Sequence, residues 1–305
     1  YYQSIVQLRT LISQTNLSIL SSALCIKEPL WIFILSLASL GVKHLSLLLL
    51  LFINNLLSFT AVFYSFNSLL NHFHFEKTNK IIAFLLLLSA FSFMDMGKVL
   101  MPELLSIAFL MGYFLCLLQY QESCRFSRLL LSLLFALGTG LSNFSNLYYL
   151  AILYFVFLMV SPKQMLKSLP LHVFIVALFF FAFPPLKSIL ESSLFRPDLS
   201  GSWKTATFFS ALFWQIFGFI NTTCGLLWFS LAALGLRGVL KKEHPYSALF
   251  WVSLILLTLA GLAWLKPLTG HDFISTGYRY QLPLLVFLSI VSATGYSSFT
   301  SLLPK

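Results

Sequence analysis

The sequence predicts an all-α membrane protein, a polytopic bundle of about nine transmembrane helices. Of its 305 residues, 59% are hydrophobic and only 9% are charged, and the mean hydropathy is +0.89. A soluble domain carries about 25% charged residues. Long apolar runs recur along the whole chain, and runs such as SLLLLLF do not alternate as the strands of a membrane β-barrel do. Helices are therefore the predicted way of crossing the membrane.

The predicted spans are apolar segments of about 15–25 residues, separated by short polar stretches. A helix rises about 1.5 Å per residue, so roughly 20 residues cross a hydrocarbon layer about 30 Å thick. Shorter segments are accommodated by neighbouring helices or by local thinning of the bilayer. The spans are predicted at 43–70, 80–94, 100–120, 128–142, 144–160, 168–188, 212–236, 246–265 and 280–301.

Residues 1–28 are too polar to cross and predict an amphipathic helix. Ile5, Leu8 and Ile12 fall on one helical face, and glutamines fall on another. This pattern is typical of a helix that lies in the membrane interface.

The stretch EPLWIFILSLASLG predicts a second helix that does not cross. Pro29 suits the first turn of a helix, and Gly41 suits its end. About 12 residues reach only about 18 Å, which is roughly half of the membrane. The predicted organisation is a single transmembrane domain over 1–305, divided into the interfacial helix 1–28, the half helix 29–41 and the bundle 43–305.

Lysines and arginines predict the orientation. Basic residues occupy the loops around 77–80, 125–128, 163–167 and 237–242, and most of the nine acidic residues fall in the other loops. Because basic loops stay in the cytoplasm, residue 1 is predicted outside and residue 305 inside, in a plasma (inner) or endoplasmic reticulum membrane. This asymmetry also explains the net charge of +10. No basic run is long enough to suggest a nucleic-acid partner.

Two acidic residues stand at span edges in FSFMDMGKVLMPELL, on the predicted outer face. Pro102 and Glu103 open a span, and a carboxylate in a first helical turn interacts favourably with the helix dipole. Glu103 is therefore either a dipole partner or a site carboxylate, because ionisable groups at membrane depth are often functional. Asp95 is either a site carboxylate or an ion-pair partner of Lys98. In another outer turn, GLSNFSN, Asn143 and Asn146 are predicted to cap helix ends.

The segment KPLTGHDFISTGYRYQLP places Lys266, His271 and Arg279 ahead of the last span. The helix dipole disfavours a cation at a helix start. Arg279 is thus either a snorkelling residue or a ligand for an anion such as a phosphate, which arginine binds with its planar fork. His271 is either an ordinary loop residue or a base.

These segments resemble the GT-C superfamily of polytopic glycosyltransferases, which includes the protein mannosyltransferases and the lipid A aminoarabinose transferases. The resemblance lies in KEPLWIFILSLASLG, in the outer acidic turn MDMGKVLMPELL, and in GYRYQLPLLVFLSI. The last is similar to the Arg-Tyr-x-x-Pro start of a late span in many members.

The resemblance implies transfer of a sugar from a polyprenyl-phosphate donor to a lipid, glycan or protein acceptor on the non-cytoplasmic face. Glu103 and Asp95 match the family's second acidic position, so they are implied to orient the acceptor or to hold a divalent cation. Arg279 matches the arginine that receives the donor phosphate. The neighbouring substrate-binding candidates are Tyr280, His271 and Lys266.

One part of the family pattern falls outside these residues. The family's principal catalytic acid lies in a first outer loop, after a first span and ahead of the amphipathic helix. The chain begins with YYQSIVQLR, which resembles the sequence after that acid. The expectation is that the first span and its acid precede Tyr1, or that this is a non-catalytic relative.

Other function classes remain open from the sequence. A polysaccharide polymerase of the capsule or exopolysaccharide type has similar spans. A transporter or flippase binds its substrate near the midplane and shows inverted repeats, whereas here the charges cluster at the outer edge and no repeat is visible. A purely structural membrane subunit is the remaining alternative.

Overall fold

The structure is a computed structural model that describes residues 2–13, 29–42, 45–90, 101–143, 146–182, 205–222, 230–235, 248–265 and 281–300. Within these ranges the chain is helical apart from short turns and contains no strand, which confirms the all-α class. The helices are α1 (Tyr2–Ser13), α2 (Pro29–Ala38), α3 (Leu47–His72), α4 (Lys77–Ser89), α5 (Glu103–Ser123), α6 (Phe126–Ser142), α7 (Leu147–Val160), α8 (Pro162–Ala182), α9 (Thr205–Thr222), α10 (Ala248–Leu265) and α11 (Leu282–Thr300), with a short helical stretch at 230–235.

Most helices match the predicted spans to within a few residues, and two differ. Helix α8 begins at Pro162 rather than at 168, because hydropathy marks only the apolar part of a helix and misses its polar first turns. Pro162 suits that start, since its fixed φ fits a first helical position. Helix α9 begins at Thr205 rather than at 212 and ends at Thr222, and the structure next describes the helical stretch at 230–235.

Within the part of the chain that the structure describes, two helices, α3 and α5, are long and apolar enough to cross a membrane. Their most apolar 18-residue stretches have mean hydropathies of 2.0 and 1.6. Shorter apolar helical segments of the described chain lie at 126–142, 147–160, 208–217, 250–263 and 282–296.

The chain forms two compact units. The first contains Tyr1–Ser65, Met96–Leu147 and Leu166–Pro197, and the second contains Phe66–Asp95, Tyr148–Met165 and Asp198–Lys305. Helices α3 and α8 are each divided between the two. The single-domain organisation over 1–305 stays a prediction.

In the first unit, the apolar face of α1 packs against α2. Ile5 and Leu8 are buried against Trp31, Ile32 and Leu35 in one hydrophobic cluster. The α1 backbone takes part as well, because the Ser36 hydroxyl donates a hydrogen bond to the Ile5 carbonyl oxygen. Two of the three residues predicted to form the apolar face of α1 therefore contact protein. Helix α2 begins at Pro29 and ends shortly before Gly41, as the sequence predicted.

The same unit contains a close helix pair, α5 and α6, in which each helix offers a glycine to a phenylalanine of the other. A Cβ atom added at Gly112 of α5 would lie 2.7 Å from the Phe135 ring of α6. One added at Gly138 of α6 would lie 2.8 Å from the Phe109 ring of α5. Small residues let helices approach closely in a membrane, where packing replaces the hydrophobic effect as a main driving force.

In the second unit, α11 is buried from Gln281 to Gly295. A Cβ atom at Gly295 would collide with the backbone oxygen of Leu231, so α11 lies in direct backbone contact with the helical stretch at 230–235. At the start of α11, Gln281 Nε2 donates to the main-chain oxygen of Gln215 at 2.7 Å and to its side-chain oxygen at 2.8 Å. These contacts fix the first turn of α11 against α9.

Candidate functional site

Glu103 begins helix α5 and is buried. It follows Pro102, which occupies the N-cap position with φ −83° and ψ −8°, and it is the acidic residue of the first turn. Its side chain is 8% exposed. The helix dipole stabilises a carboxylate at this position. Burial raises the free-energy cost of the charged carboxylate unless neighbouring groups hydrogen-bond to it or neutralise it.

The side chain of Ser106 links three helical segments next to Glu103. Its hydroxyl donates to the Thr139 carbonyl oxygen of α6 at 3.0 Å and accepts from the Asn146 amide nitrogen at 2.9 Å. All three residues are buried. Ser106 is one turn after Glu103 on α5, a spacing that puts both on the same helix face.

The turn between α6 and α7 completes this group. Asn143 is the C-cap residue of α6, and its backbone N–H donates to Thr139 O at 2.9 Å. The Ser142 hydroxyl is fully buried and makes no hydrogen bond to any part of the protein that the structure describes. We call this group the α5–α6 polar cluster; its members are Glu103, Ser106, Thr139, Ser142, Asn143 and Asn146.

The cluster consists of hydroxyl, amide and main-chain oxygen groups, and its one carboxylate, Glu103, lies a turn before Ser106 on α5. Such groups suit hydrogen bonding to a sugar or alcohol hydroxyl, and a carboxylate can also orient or deprotonate such a hydroxyl. A hard cation also prefers oxygen ligands. Among the described residues, no group of three or more His, Cys, Asp or Glu side chains lies close enough to hold a metal ion.

Of the site residues predicted from the sequence, the structure describes Glu103. The other five lie outside the described residues, so the predicted pairing of Glu103 with Arg279 in one cavity stays a prediction. These five are Asp95, Lys266, His271, Arg279 and Tyr280.

Sequence analysis singled out Glu103 but not the hydrogen-bonded group that includes Ser106, one turn further along α5. Ser106 has no motif of its own, and the available signal was its spacing of three residues from Glu103. Asn143 and Asn146 were predicted as helix caps. Asn143 does stand at the C-cap of α6, but the Asn146 side chain bonds to Ser106, which comes 40 residues earlier in the chain. Only the tertiary structure reveals such a contact.

An open groove in the second unit has an almost entirely apolar lining. It has a volume of about 510 Å³ and lies between α7 and α10, with Phe208 of α9 at one side. Tyr148, Ile152 and Phe155 line it from α7, and Leu257 and Gly261 line it from α10. Such a groove can hold a hydrocarbon chain, and it offers almost no polar group for recognising a headgroup.

No protein-family model, curated protein or solved structure matches this chain. Its function therefore has to be inferred from its own residues.

Proposed function

We propose that this chain is a polytopic glycosyltransferase that moves a sugar from a polyprenyl-phosphate donor to an acceptor hydroxyl at the non-cytoplasmic face. The observation that supports this most is the burial of Glu103 within the α5–α6 polar cluster, at the start of a helix able to cross a membrane. A carboxylate kept at membrane depth is costly, and such residues usually serve a substrate or an ion.

In this proposal Glu103 or Asp95 orients the acceptor or holds a divalent cation. The hydroxyl of Ser106 and the amide of Asn146 hold the first turn of α5 in place around the carboxylate. Arg279 receives the phosphate that leaves with the polyprenyl chain, because its fork can bind two phosphate oxygens at once.

The proposal includes a topology of nine spans with residue 1 outside and residue 305 in the cytoplasm. The exposed Cys124 follows the C-terminal end of α5 and is a native reporter of sidedness, whereas Cys116 is buried. In a variant whose Cys25 and Cys224 are replaced by serine, a membrane-impermeant maleimide added to sealed right-side-out vesicles should label a cysteine placed at Lys98. It should leave Cys124 unmodified until the vesicles are opened. Labelling of both positions before opening contradicts this topology.

The test of function compares two glutamates on the same helix. Glu103→Gln removes the buried carboxylate, and Glu122→Gln makes the same change at the exposed, opposite end of α5. The protein expressed from its complete gene should be assayed in membranes with polyprenyl-phosphate-linked sugars, by following release of polyprenyl phosphate. We expect Glu103→Gln to lower turnover by roughly 10²-fold, since lost orientation of reacting groups has effects of that size. Glu122→Gln should retain full turnover. Equal turnover in both variants rejects Glu103 as a site residue.

Arg279 gives a second test. Arg279→Lys keeps the charge but loses the fork, so it should retain part of the activity. Arg279→Ala should lose about 10²–10³-fold in rate, because the leaving phosphate loses its cation. Wild-type turnover of Arg279→Ala at normal expression would assign the residue to membrane anchoring.

A further inference from the structure

The junction of α5, α6 and α8 in the first unit carries a basic surface that the proposed transferase chemistry does not use. Arg125 and Lys167 are exposed, and Arg128 is half-buried. Glu122, exposed in the last turn of α5, is the acidic side chain beside them. These four residues contribute three positive charges and one negative charge, and we call them the junction patch.

A hydrophobic contact beneath the patch joins α5, α6 and α8. Tyr120, Leu129 and Leu133 form one buried cluster, and Leu171 of α8 packs against it. Arg125 precedes Leu129 by four residues, and Lys167 precedes Leu171 by four residues. Residues at this spacing are neighbours on one face of a helix. Arg125 and Lys167 therefore each lie one turn from the same interhelical contact.

Helix stability does not explain the two arginines. Arg125 is the N-cap residue of α6, and its side chain makes no capping hydrogen bond; Arg128 lies in the first turn. Cations are unfavourable near the positive end of a helix dipole, where Asp, Ser or Asn is preferred. An anionic group bound at this surface would reverse that unfavourable interaction.

An exposed apolar stripe runs along α6 from the patch. Phe126 is 66% exposed, Leu130 is 48% exposed and Leu134 is 56% exposed. The spacing of four residues places them on one face. A polar anchoring group at one end and a hydrocarbon surface leading away from it match the two parts of a phospholipid molecule.

We propose that the junction patch binds the headgroup of an anionic phospholipid of the cytoplasmic leaflet, with one acyl chain along Phe126, Leu130 and Leu134. The charge complementarity between three cations and a lipid phosphate defines the ligand, and the apolar stripe requires that the phosphate be attached to a chain. The lipid site does not depend on the proposed glycosyltransferase activity, but its assignment to the cytoplasmic leaflet rests on the proposed topology. Basic residues near a membrane surface each contribute about fivefold to the affinity for anionic lipid.

The test measures thermal unfolding of the full-length protein in a neutral detergent with added lipid. Phosphatidylglycerol should raise the melting temperature, whereas phosphatidylcholine should not, and the shift should shrink at high salt because charge interactions are screened. The Arg125→Gln/Lys167→Gln double variant changes two exposed side chains, so it should fold. It should need about 25-fold more phosphatidylglycerol for the same shift. Lys77→Gln removes an exposed charge in the second unit and serves as the control; it should respond like the wild type.

Two further arms fix the identity of the ligand. Glycerol phosphate has the headgroup charge without the chains, so it should give no shift at the same concentration. Leu130→Ala/Leu134→Ala should weaken the response to phosphatidylglycerol while leaving its salt dependence unchanged. An equal response of the Arg125→Gln/Lys167→Gln variant and the wild type overturns the site. An equal response to glycerol phosphate and to phosphatidylglycerol overturns the lipid as its ligand.

Discussion

Helices α3 and α5 are both long and apolar enough to cross a membrane, yet they differ in how much of each is buried inside the protein. In its most apolar 18-residue stretch, α5 is 83% buried inside the protein, whereas the corresponding stretch of α3 is 22% buried. Hydropathy therefore identifies both helices as membrane-compatible but does not say which surface lipid would cover.

The arrangement of side chains on α3 accounts for its exposure. Its buried residues recur every four positions in a narrow stripe, and its exposed residues recur with the same spacing on the other side. The exposed stripe includes Leu48 (79% exposed), Phe52 (63%) and Tyr64 (76%). An apolar surface of this kind is covered by lipid or by another protein. The buried stripe runs through Leu50, Asn54, Ser58, Val62 and Phe66.

Helix α5 is enclosed because it offers close contacts on several faces. Gly112 admits the Phe135 ring of α6, and Ser106 bonds to both Thr139 and Asn146. Small and polar residues of this kind are typical of helix contacts inside membrane proteins. What distinguishes α5 from α3 is thus the placement of small and polar side chains around the helix. The average hydropathy of a helix does not reveal this placement.

We expect the largest effect on the free energy of unfolding from a leucine-to-alanine substitution made on each of the two helices. Leu117 of α5 is 0% exposed and Leu48 of α3 is 79% exposed. Leu117→Ala should lower the free energy of unfolding in detergent by about 2–5 kcal/mol, since it leaves a cavity. Leu48→Ala should change it by less than about 0.5 kcal/mol. Chemical denaturation of the purified variants measures both. A large loss for Leu48→Ala would show that protein covers the outer face of α3.

The next effect concerns the contact that encloses α5. Gly112→Val should lower the free energy of unfolding by about 1–3 kcal/mol, because the added atoms would overlap the Phe135 ring. Gly41→Val is the matched control, since a Cβ atom at Gly41 meets nothing within 4 Å. The same denaturation assay applies. If the two variants lose equal stability, the close approach of α5 and α6 is not what holds the pair together.

Much of the helical architecture could be predicted from apolar runs and from single residues that favour the start or end of a helix. Pro29 and Gly41 predicted the limits of α2, and Ile5 and Leu8 predicted the apolar face of α1. The polar first turns of α8 were missed, because a hydropathy profile starts a segment only where apolar residues become frequent. The partition into two units could not be predicted either, since it depends on packing between segments distant in sequence, such as the hydrophobic cluster that contains both Ile5 and Leu105.

The candidate site was predictable only in part. A carboxylate after a proline at a span edge is visible in the sequence, and Glu103 is indeed buried there. Its neighbours are ordinary serines and asparagines, which occur throughout loops and helices, so their types alone give no signal. Their role depends on the packing of α5 against α6, which side-chain spacing does not determine.

A smaller effect is expected at the hydrogen bond from Asn146 to Ser106. Asn146→Leu removes the amide that donates to the buried Ser106 hydroxyl. Interhelical hydrogen bonds in membrane proteins contribute about 0.6 kcal/mol on average, and a hydroxyl left without its partner adds to the loss. We expect a decrease of about 1 kcal/mol in the free energy of unfolding. Ser123→Leu replaces an exposed α5 residue whose hydroxyl bonds only locally: it donates to the Gln119 carbonyl oxygen and accepts from the Arg125 backbone N–H. This change should have a smaller effect.

The smallest expected effect tests whether a hydrogen bond stabilises the packing of α3, as hydrogen bonds do for α5. Asn54 accepts a hydrogen bond from the Trp31 indole nitrogen at 2.9 Å, and both residues are buried. In a double-mutant cycle with Trp31→Phe and Asn54→Leu, we expect a coupling energy of about 0.6 kcal/mol. The cycle is needed because each single change also alters packing, and only the coupling isolates the bond. A coupling near zero would mean that apolar packing alone holds α3 against α2. A parallel cycle with Ser106→Ala and Asn146→Leu measures the corresponding bond of α5. If the two coupling energies are equal, α3 and α5 use the same kind of polar contact, and the two helices differ only in the number of helix faces that carry such contacts.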